Sequence, residues 1–407
     1  MAPLRVLIID EGLAFGGSLM VAGAIAGAMD RAGAEVTLAL AADPDIVRNR
    51  TPFPVTITSL RKHYDYGKRW WVHSRFARLP AALRKLIAYG IAPFEFLLNV
   101  PYVVRLTWFL RRQRIDLVHL MNATANFEAL LAALLARRRV LVHAQGFCEP
   151  SRYAGWLWLK ASTYVAISSV IQESILALGV APDNIVLLPN PLTVSPPPPD
   201  PALRSRIRAS LNLPSDAAVF GIVGRVVEWK GQREFLEAAS LVLQRHSTAL
   251  AVIVGGIADG GEAYLAELRE LAARFPHGDR VRFLGFQTDP DAMYAGLDVV
   301  VHSSIEPEPF GLVITEAMAY GIPVIASSRG AGPEIVTEGA DGLVRDPREP
   351  EAVAGAILSL LEDSDLRRRM GAAARNTALE RYGLPQYLRR LSDIYVATMT
   401  NGKGPQV

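Results

Sequence analysis

The sequence predicts an α/β protein of two doubly wound domains, and three observations carry that prediction. Short apolar runs such as Val6-Leu7-Ile8-Ile9, Ala218–Val223 and Ala249–Val254 read as buried parallel strands, and segments of helical length alternate with them. Several of these strands run into glycine turns, an arrangement that brings backbone amides to the C-terminal edge of a parallel sheet. The chain has 407 residues, too many for one ordinary hydrophobic core, and the stiff run Ser195-Pro196-Pro197-Pro198-Pro199-Asp200 divides it.

Composition narrows the class. Hydrophobic residues make up 50% and charged residues 20%, as in a packed globular protein. The one cysteine, Cys148, excludes an intramolecular disulfide and a cysteine-rich metal site, so a reducing cytoplasm is the expected compartment. Met1-Ala2-Pro3-Leu4-Arg5 leads straight into an apolar strand and reads as its beginning, not as an export signal. The net charge is +3, yet residues 61–114 hold +10 and the remainder −7.

In order, Leu4–Asp10 is the first strand, Gly16 and Gly17 the turn, and Leu19–Ala32 a helix of small residues. Glu35–Leu40 and Val55–Thr58 follow as strands. Between Arg61 and Arg114 the aromatic residues Tyr64, Tyr66, Trp70, Trp71, Phe76, Trp108 and Phe109 interleave with Arg and Lys, a mixture suited to an anionic bilayer surface. Nucleic acid is the competing partner and a solvated basic face the plain alternative. The apolar run Leu86–Leu110 is interrupted by Pro93, Glu95, Pro101 and Arg105, so a buried or interfacial helix pair is expected there instead of a membrane span. Ile115–Leu120, Arg139–His143, Thr163–Ser168 and Ile185–Pro189 complete the first domain. His119 and His143 both lie on its strands, His143 at a C-terminal end just before Ala144-Gln145-Gly146.

After the proline run and a helix at Pro201–Leu211, strand Ala218–Val223 delivers Gly224-Arg225-Val226-Val227-Glu228-Trp229-Lys230-Gly231. An arginine fork and a lysine point charge suit a diphosphate. Strands at Ala249–Val254, Arg280–Leu284 and Leu297–Val301 lead to the turns at Gly255-Gly256, at Gly285-Phe286 and at His302-Ser303-Ser304. In the stretch Glu306 to Ala326, two prolines and Gly311 prevent regular structure before Leu312, and Leu312–Tyr320 has no breaker until Gly321. Glu308 therefore falls in a loop and Glu316 about one turn inside a helix, so both carboxylates can face one ligand. The amides around Phe310, Gly311, Leu312 and Val313 add donors for anionic or hydroxyl oxygens.

The wording Glu308-Pro309-Phe310-Gly311-Leu312-Val313-Ile314-Thr315-Glu316 resembles the E-x7-E signature of the retaining glycosyltransferases of family four. Gly224-Arg225 through Lys230-Gly231 resembles that family's G-R-x4-K-G motif, His143 its active-site histidine and His119 its D-x-x-H strand, where a structural role is expected. The resemblance is strong over residues 185–345 and patchy before Ile115. It implies the GT-B fold: two Rossmann-like domains facing across a cleft, the first at 1–192, a linker at 193–200, a nucleotide-sugar domain at 201–384, and a last helix from 385 recrossing to the first domain. It further implies transfer of a hexosyl group from a UDP- or GDP-sugar, with retention, to a lipid-linked or glycan acceptor. Arg225 and Lys230 would stabilise the leaving diphosphate, Glu308 with the amides near Gly311 would hold the sugar, and Glu316 the ribose. Gly285 and Phe286 would meet the nucleobase, Gly224 and the Gly16-Gly17 turn the diphosphate, and His143 the sugar or phosphate.

No cofactor is expected, and no metal, since Arg225 and Lys230 occupy the role of an ion and no Asp-x-Asp stands near either cleft edge. The expected setting is the inner face of the cell membrane, by peripheral contact with anionic lipid and without nucleic acid. A glycosidase using Glu308 and Glu316 would leave Arg225 and Lys230 idle. A noncatalytic nucleotide-sugar or anionic-lipid binding protein on the same fold is the alternative.

Overall fold

The computed structural model describes residues 3–10, 17–31, 34–40, 56–59, 79–121, 127–148, 155–257 and 260–401. The chain divides into two compact units: residues 1–167, 171–188 and 388–407 form one, and residues 168–170 and 189–387 the other. Apart from the short excursion at 168–170, the chain passes between units at 188/189 and again at 387/388, and the proline run belongs to the second unit.

In the first unit, β1 (Arg5–Asp10), β2 (Glu35–Leu40), β3 (Thr56–Ser59), β4 (Leu117–Met121), β5 (Arg139–Ala144), β6 (Thr163–Ala166) and β7 (Ile185–Leu187) form one sheet in the order β3-β2-β1-β4-β5-β6-β7. All pairs are parallel. Such strands are covered on both faces, which explains their continuous apolar runs; Val6 to Ile9 are buried throughout. Strand order reverses between β1 and β4, so the C-terminal ends of those strands form the crevice where doubly wound sheets place ligands. Helix α1 (Gly17–Arg31) starts at that edge, where the Ser18 hydroxyl donates to the buried Asp10 carboxylate at 2.6 Å.

Residues 81–112 form one continuous 32-residue helix, α2 (Ala81–Arg112), where the sequence led us to expect a pair. Pro93 and Pro101 lie within it, each lacking an amide donor, and the chain turns off beyond Arg112. There Arg114 adopts left-handed φ 52, and its amide donates to Arg111 while that of Ile115 donates to Leu110. These paired bonds satisfy the last free carbonyls of the helix. Among the described residues no helix is long and apolar enough to cross a membrane. Helix α3 (Phe127–Leu135) packs on α2 and ends in the same way, with Arg137 at φ 58.

In the second unit, β8 (Ala218–Val223), β9 (Ala249–Val254), β10 (Val281–Gly285), β11 (Val299–Val301), β12 (Val324–Ser327) and β13 (Gly342–Arg345) form a parallel sheet in the order β10-β9-β8-β11-β12-β13. Its order reverses between β8 and β11. Helix α4 (Gln232–Arg245) buries Phe235, Leu236, Ala239, Val242 and Leu243, one helical face, against the sheet, where Phe220 and Phe235 ring centroids lie 5.9 Å apart. Helix α5 (Leu312–Ala319) is buried over Ile314 to Ala319. Helices α6 (Pro350–Glu362), α7 (Ser364–Tyr382) and α8 (Leu384–Asn401) close the chain, the last two separated at Gly383. From Leu388 on, α8 packs with the first unit: the Thr398 and Thr163 hydroxyls are 2.8 Å apart, and the Arg390 guanidinium donates to the Leu187 carbonyl.

Candidate functional site

In the second unit the candidate residues collect at the C-terminal ends of the strands on either side of the switch point. Strand β8 ends at Val223 and hands over to Gly224, whose φ of 146 suits glycine, and then to the exposed Arg225. The Arg225 carbonyl accepts a hydrogen bond from the Gln232 amide, and its guanidinium forms no ion pair with a described residue. A short 3-10 turn at Glu228–Lys230 lifts Lys230 back over the edge, with its ammonium 4.2 Å from the Trp229 ring centroid. Gly231 then permits the turn into α4: its φ is 72, and a Cβ there would lie 1.8 Å from the Ser303 carbonyl oxygen. This contact locks the Lys230 turn to the loop that follows β11.

That loop presents Glu308. Lys230 Nζ donates to Glu308 Oε2 at 2.6 Å, the Ser304 hydroxyl at 2.8 Å and His302 Nε2 at 3.2 Å, so three donors converge on one carboxylate oxygen. The Ser327 amide donates to His302 Nδ1, which fixes the imidazole as the Nε2–H tautomer that Glu308 needs. Burial alone would raise the Glu308 pKa, but the His302 hydrogen bond and the Lys230 charge outweigh it and hold the carboxyl well below the usual carboxylate range. The stability this adds is present above the unfolded carboxylate pKa of about 4.3 and is lost as pH falls toward the depressed value. Glu308 Oε1 makes no hydrogen bond with a described residue. Its acceptor positions are open.

Beyond Glu308, Gly311 at φ 92 starts α5. The amides of the first turn, Leu312 and Val313 among them, have no partner inside the helix. The Phe310 side chain is buried edge-on against Tyr382, at 5.8 Å between ring centroids, so it packs the loop. Glu316 sits inside α5, buried, accepting from Tyr294 at 2.6 Å on one oxygen and from Thr193 at 2.7 Å on the other. Burial raises its pKa and the two hydroxyls partly offset this. Each oxygen keeps a further acceptor position. Glu308 and Glu316 share no partner, so the two carboxylates form separate clusters. Gly285 at the end of β10 has φ 68, and Phe286 after it is 54% exposed.

In the first unit, His143 lies at the C-terminal end of β5, fully buried. Its Nδ1 is 3.1 Å from His119 Nε2, and its Nε2 is 2.9 Å from the Gln145 amide nitrogen. Desolvation lowers its pKa to about 3, so it is neutral at physiological pH. Gly17 is the exposed first residue of α1; Gly16 lies outside the described residues, as do Arg61 to Arg78 of the basic-aromatic segment. The sequence reading missed His302, Ser304, Tyr294 and Thr193. His302 and Ser304 were findable, since they directly follow a strand of the parallel sheet, the edge where ligands bind. Tyr294 and Thr193 carried no sequence signal.

Comparison with known proteins places two family models on the chain: glycosyl transferases group 1 over residues 204–377 and a glycosyl transferase 4-like domain over residues 16–191. A D-inositol 3-phosphate glycosyltransferase of Corynebacterium kroppenstedtii is 35% identical over 206 residues, which is 50% of this chain and 45% of the relative. Spore coat protein SA of Bacillus subtilis is 32% identical over 198 residues, 47% of this chain and 52% of the relative. The chain thus spans about half the length of the curated relatives it matches. Among solved structures, HepE of Anabaena in complex with UDP-glucose is similar with a TM-score of 0.78 and 24% identity, over 97% of this chain and 100% of that one. A glycosyltransferase of Rickettsia africae gives a TM-score of 0.79 and 18% identity over 98% and 100%.

Proposed function

The chain belongs to the glycosyl transferases group 1 family and has the GT-B fold of two Rossmann-like domains, and from that premise we propose that it moves a hexosyl group from a UDP- or GDP-sugar to a lipid-linked or glycan acceptor, with retention at the anomeric carbon. The observation that carries this reading is the cluster at the β8/β11 switch point, where Lys230, His302 and Ser304 all hold one oxygen of Glu308 and leave the other to a ligand hydroxyl. The names of the relatives support glycosyl transfer, and the HepE complexes with UDP and UDP-glucose support a nucleotide-sugar donor.

In this reading the donor diphosphate takes Lys230 and Arg225 as counter-cations, with Gly224 allowing close backbone approach. Charge grows on the leaving diphosphate in the transition state, so fixed cations there contribute more to turnover than to binding. Glu308 and the first-turn amides of α5 hold sugar hydroxyls, Glu316 the ribose, and Gly285 with Phe286 the base. His143 is assigned to the sugar or phosphate, and Gly16 and Gly17 to the diphosphate. The departing phosphate itself accepts the acceptor proton, because no carboxylate is assigned as nucleophile. We assign no cofactor or metal to the step, because Arg225 and Lys230 supply positive charge where the diphosphate would lie. The decisive experiment incubates the protein and a membrane extract with a panel of labelled nucleotide sugars. Incorporation of one hexose with release of its nucleoside diphosphate supports the reading; nucleotide binding without turnover on any acceptor would leave a binding protein.

The same reading places the protein on the inner, anionic face of a membrane. One side of α2 exposes Leu97, Val104 and Trp108, the last at 59%, beside Arg105, Arg111 and Arg112, and Arg112 stacks over the Trp108 ring. No acidic residue occurs from Leu97 to Arg114. At about 1 kcal/mol per basic residue near an anionic bilayer, these side chains supply reversible attachment without a span. In liposome flotation, attachment requires anionic lipid, falls steeply with salt and weakens when Arg105, Arg111 and Arg112 become glutamine. Equal binding to nucleic acid at the same salt, or indifference to lipid charge, would return the segment to a plain basic face.

A further inference from the structure

Three buried side chains of the first unit form a continuous hydrogen-bonded chain, of which the reading above uses His143 alone. Tyr395 on α8 places its hydroxyl 2.6 Å from His119 Nδ1; His119 Nε2 is 3.1 Å from His143 Nδ1; His143 Nε2 meets the Gln145 amide at 2.9 Å. The imidazole centroids are 5.2 Å apart, and the Tyr395 ring stands edge-on to His119 at 5.8 Å. All three side chains are essentially without solvent exposure. We propose that Tyr395 and His119 are positioning residues which, from the C-terminal helix, fix the tautomer of His143 and so decide whether its Nε2, at the C-terminal edge of the sheet, accepts or donates a hydrogen bond. The proposal deepens the assignment of His143 to the donor and rests on that reading only for its consequence.

Proton counting limits the states open to these rings. Burial depresses the pKa of His119 and of His143, so each ring carries a single proton. A hydrogen bond between the rings needs one proton in the gap, never two or none. Only two arrangements satisfy this. In the first, His143 donates from Nδ1 to His119 Nε2, His119 donates from Nδ1 to the tyrosine oxygen, and His143 Nε2 accepts. In the second, the tyrosine hydroxyl donates to His119 Nδ1, His119 Nε2–H donates to His143 Nδ1, and His143 Nε2–H donates outward. The two histidines must therefore share a tautomer, and they must change together.

The Gln145 amide nitrogen facing His143 Nε2 selects the first arrangement, in which Nε2 is an acceptor. With Gln145 turned aside, an acceptor at that edge recognises a ligand O–H. It has nothing to offer a phosphate oxygen, which is itself an acceptor. Of the two roles open to His143, the chain thus favours contact with a sugar hydroxyl. Tyr395 is what allows it: its oxygen accepts the His119 Nδ1–H, and its own hydroxyl proton then points away from the ring.

The test reads histidine tautomers by 15N NMR in the full chain without any substrate, so its outcome is independent of whether the protein is a transferase. In the unaltered protein both rings should be Nδ1–H, with a coupling transmitted across the hydrogen bond between His119 Nε2 and His143 Nδ1. In Tyr395→Phe the orphaned Nδ1–H is avoided, and the protonated and unprotonated 15N signals should exchange places in both rings. Thr398→Val removes a different bond between α8 and the sheet, the one to Thr163, and should leave both tautomers unchanged. Different tautomers in the two rings, or an unchanged His143 in folded Tyr395→Phe, would overturn the proposal. Should Tyr395→Phe fail to fold, absence of the inter-ring coupling in the unaltered protein overturns it equally.

Discussion

Replacement of Lys230 by alanine is expected to lower kcat by roughly 10²- to 10³-fold, the cost of removing one fixed donor from a developing oxyanion. Donor binding should weaken far less, because the bound diphosphate gains charge only as the glycosidic bond breaks. The geometry gives a second reason for a large effect. Lys230 holds Glu308 Oε2 at 2.6 Å, and without it the mostly buried carboxylate keeps only His302 and Ser304. The Glu308 pKa then moves up toward its ordinary range, so the stability it contributes is smaller and is lost at a higher pH on acidification. Steady-state release of nucleoside diphosphate, beside an acid titration of the fold, measures both. An unchanged kcat with only a raised KM would show that Lys230 binds the ground state alone and has no part in departure of the leaving group.

Gly231→Ala should be strongly destabilising to the second unit. Its left-handed φ of 72 strains any L side chain by about 1–2 kcal/mol, and the added Cβ would lie 1.8 Å from the Ser303 carbonyl oxygen, which must move. Overpacking of that kind adds about 1–3 kcal/mol. For a domain of this size each kcal/mol lowers Tm by about 2–4 °C, so a fall of roughly 4–20 °C is expected. The backbone that moves carries Lys230 on one side and Ser304 on the other, so activity should fall even in the folded fraction. Gly285→Ala is the control: its φ is 68, yet a Cβ there meets nothing within 4 Å, so only the conformational strain remains. Equal melting temperatures for the two variants would remove the Ser303 contact as the reason for Gly231.

The strands were legible from the sequence because parallel strands are buried on both faces and leave uninterrupted apolar runs; Ala218–Val223 and Ala249–Val254 match their expected limits. Less legible were the ends of α2 and α3. Arg114 and Arg137 hold left-handed conformations that glycine usually supplies, and an arginine gives no stop signal. The expected helix pair over Leu86–Leu110 is a single helix because proline weakens a helix without always ending it. β13 had no expectation as a strand; Gly342–Arg345 is too short for a periodic signal.

By itself the sequence determined the chemistry that the chain can offer: Arg225 and Lys230 following one strand, Glu308 in a loop held open by prolines and Gly311, and Glu316 one turn into a helix. These are local facts, set by breakers and spacings within some twenty residues. Which groups meet was decided only by tertiary structure. Glu308 joins Lys230, 78 positions away, because β8 and β11 are neighbours in the sheet, and Glu316 joins Thr193, 123 positions away. His119 and His143 join Tyr395 because α8 packs with the first unit. No spacing encodes such pairings, since a hydrogen bond depends on where two backbones are carried by the burial of everything between them.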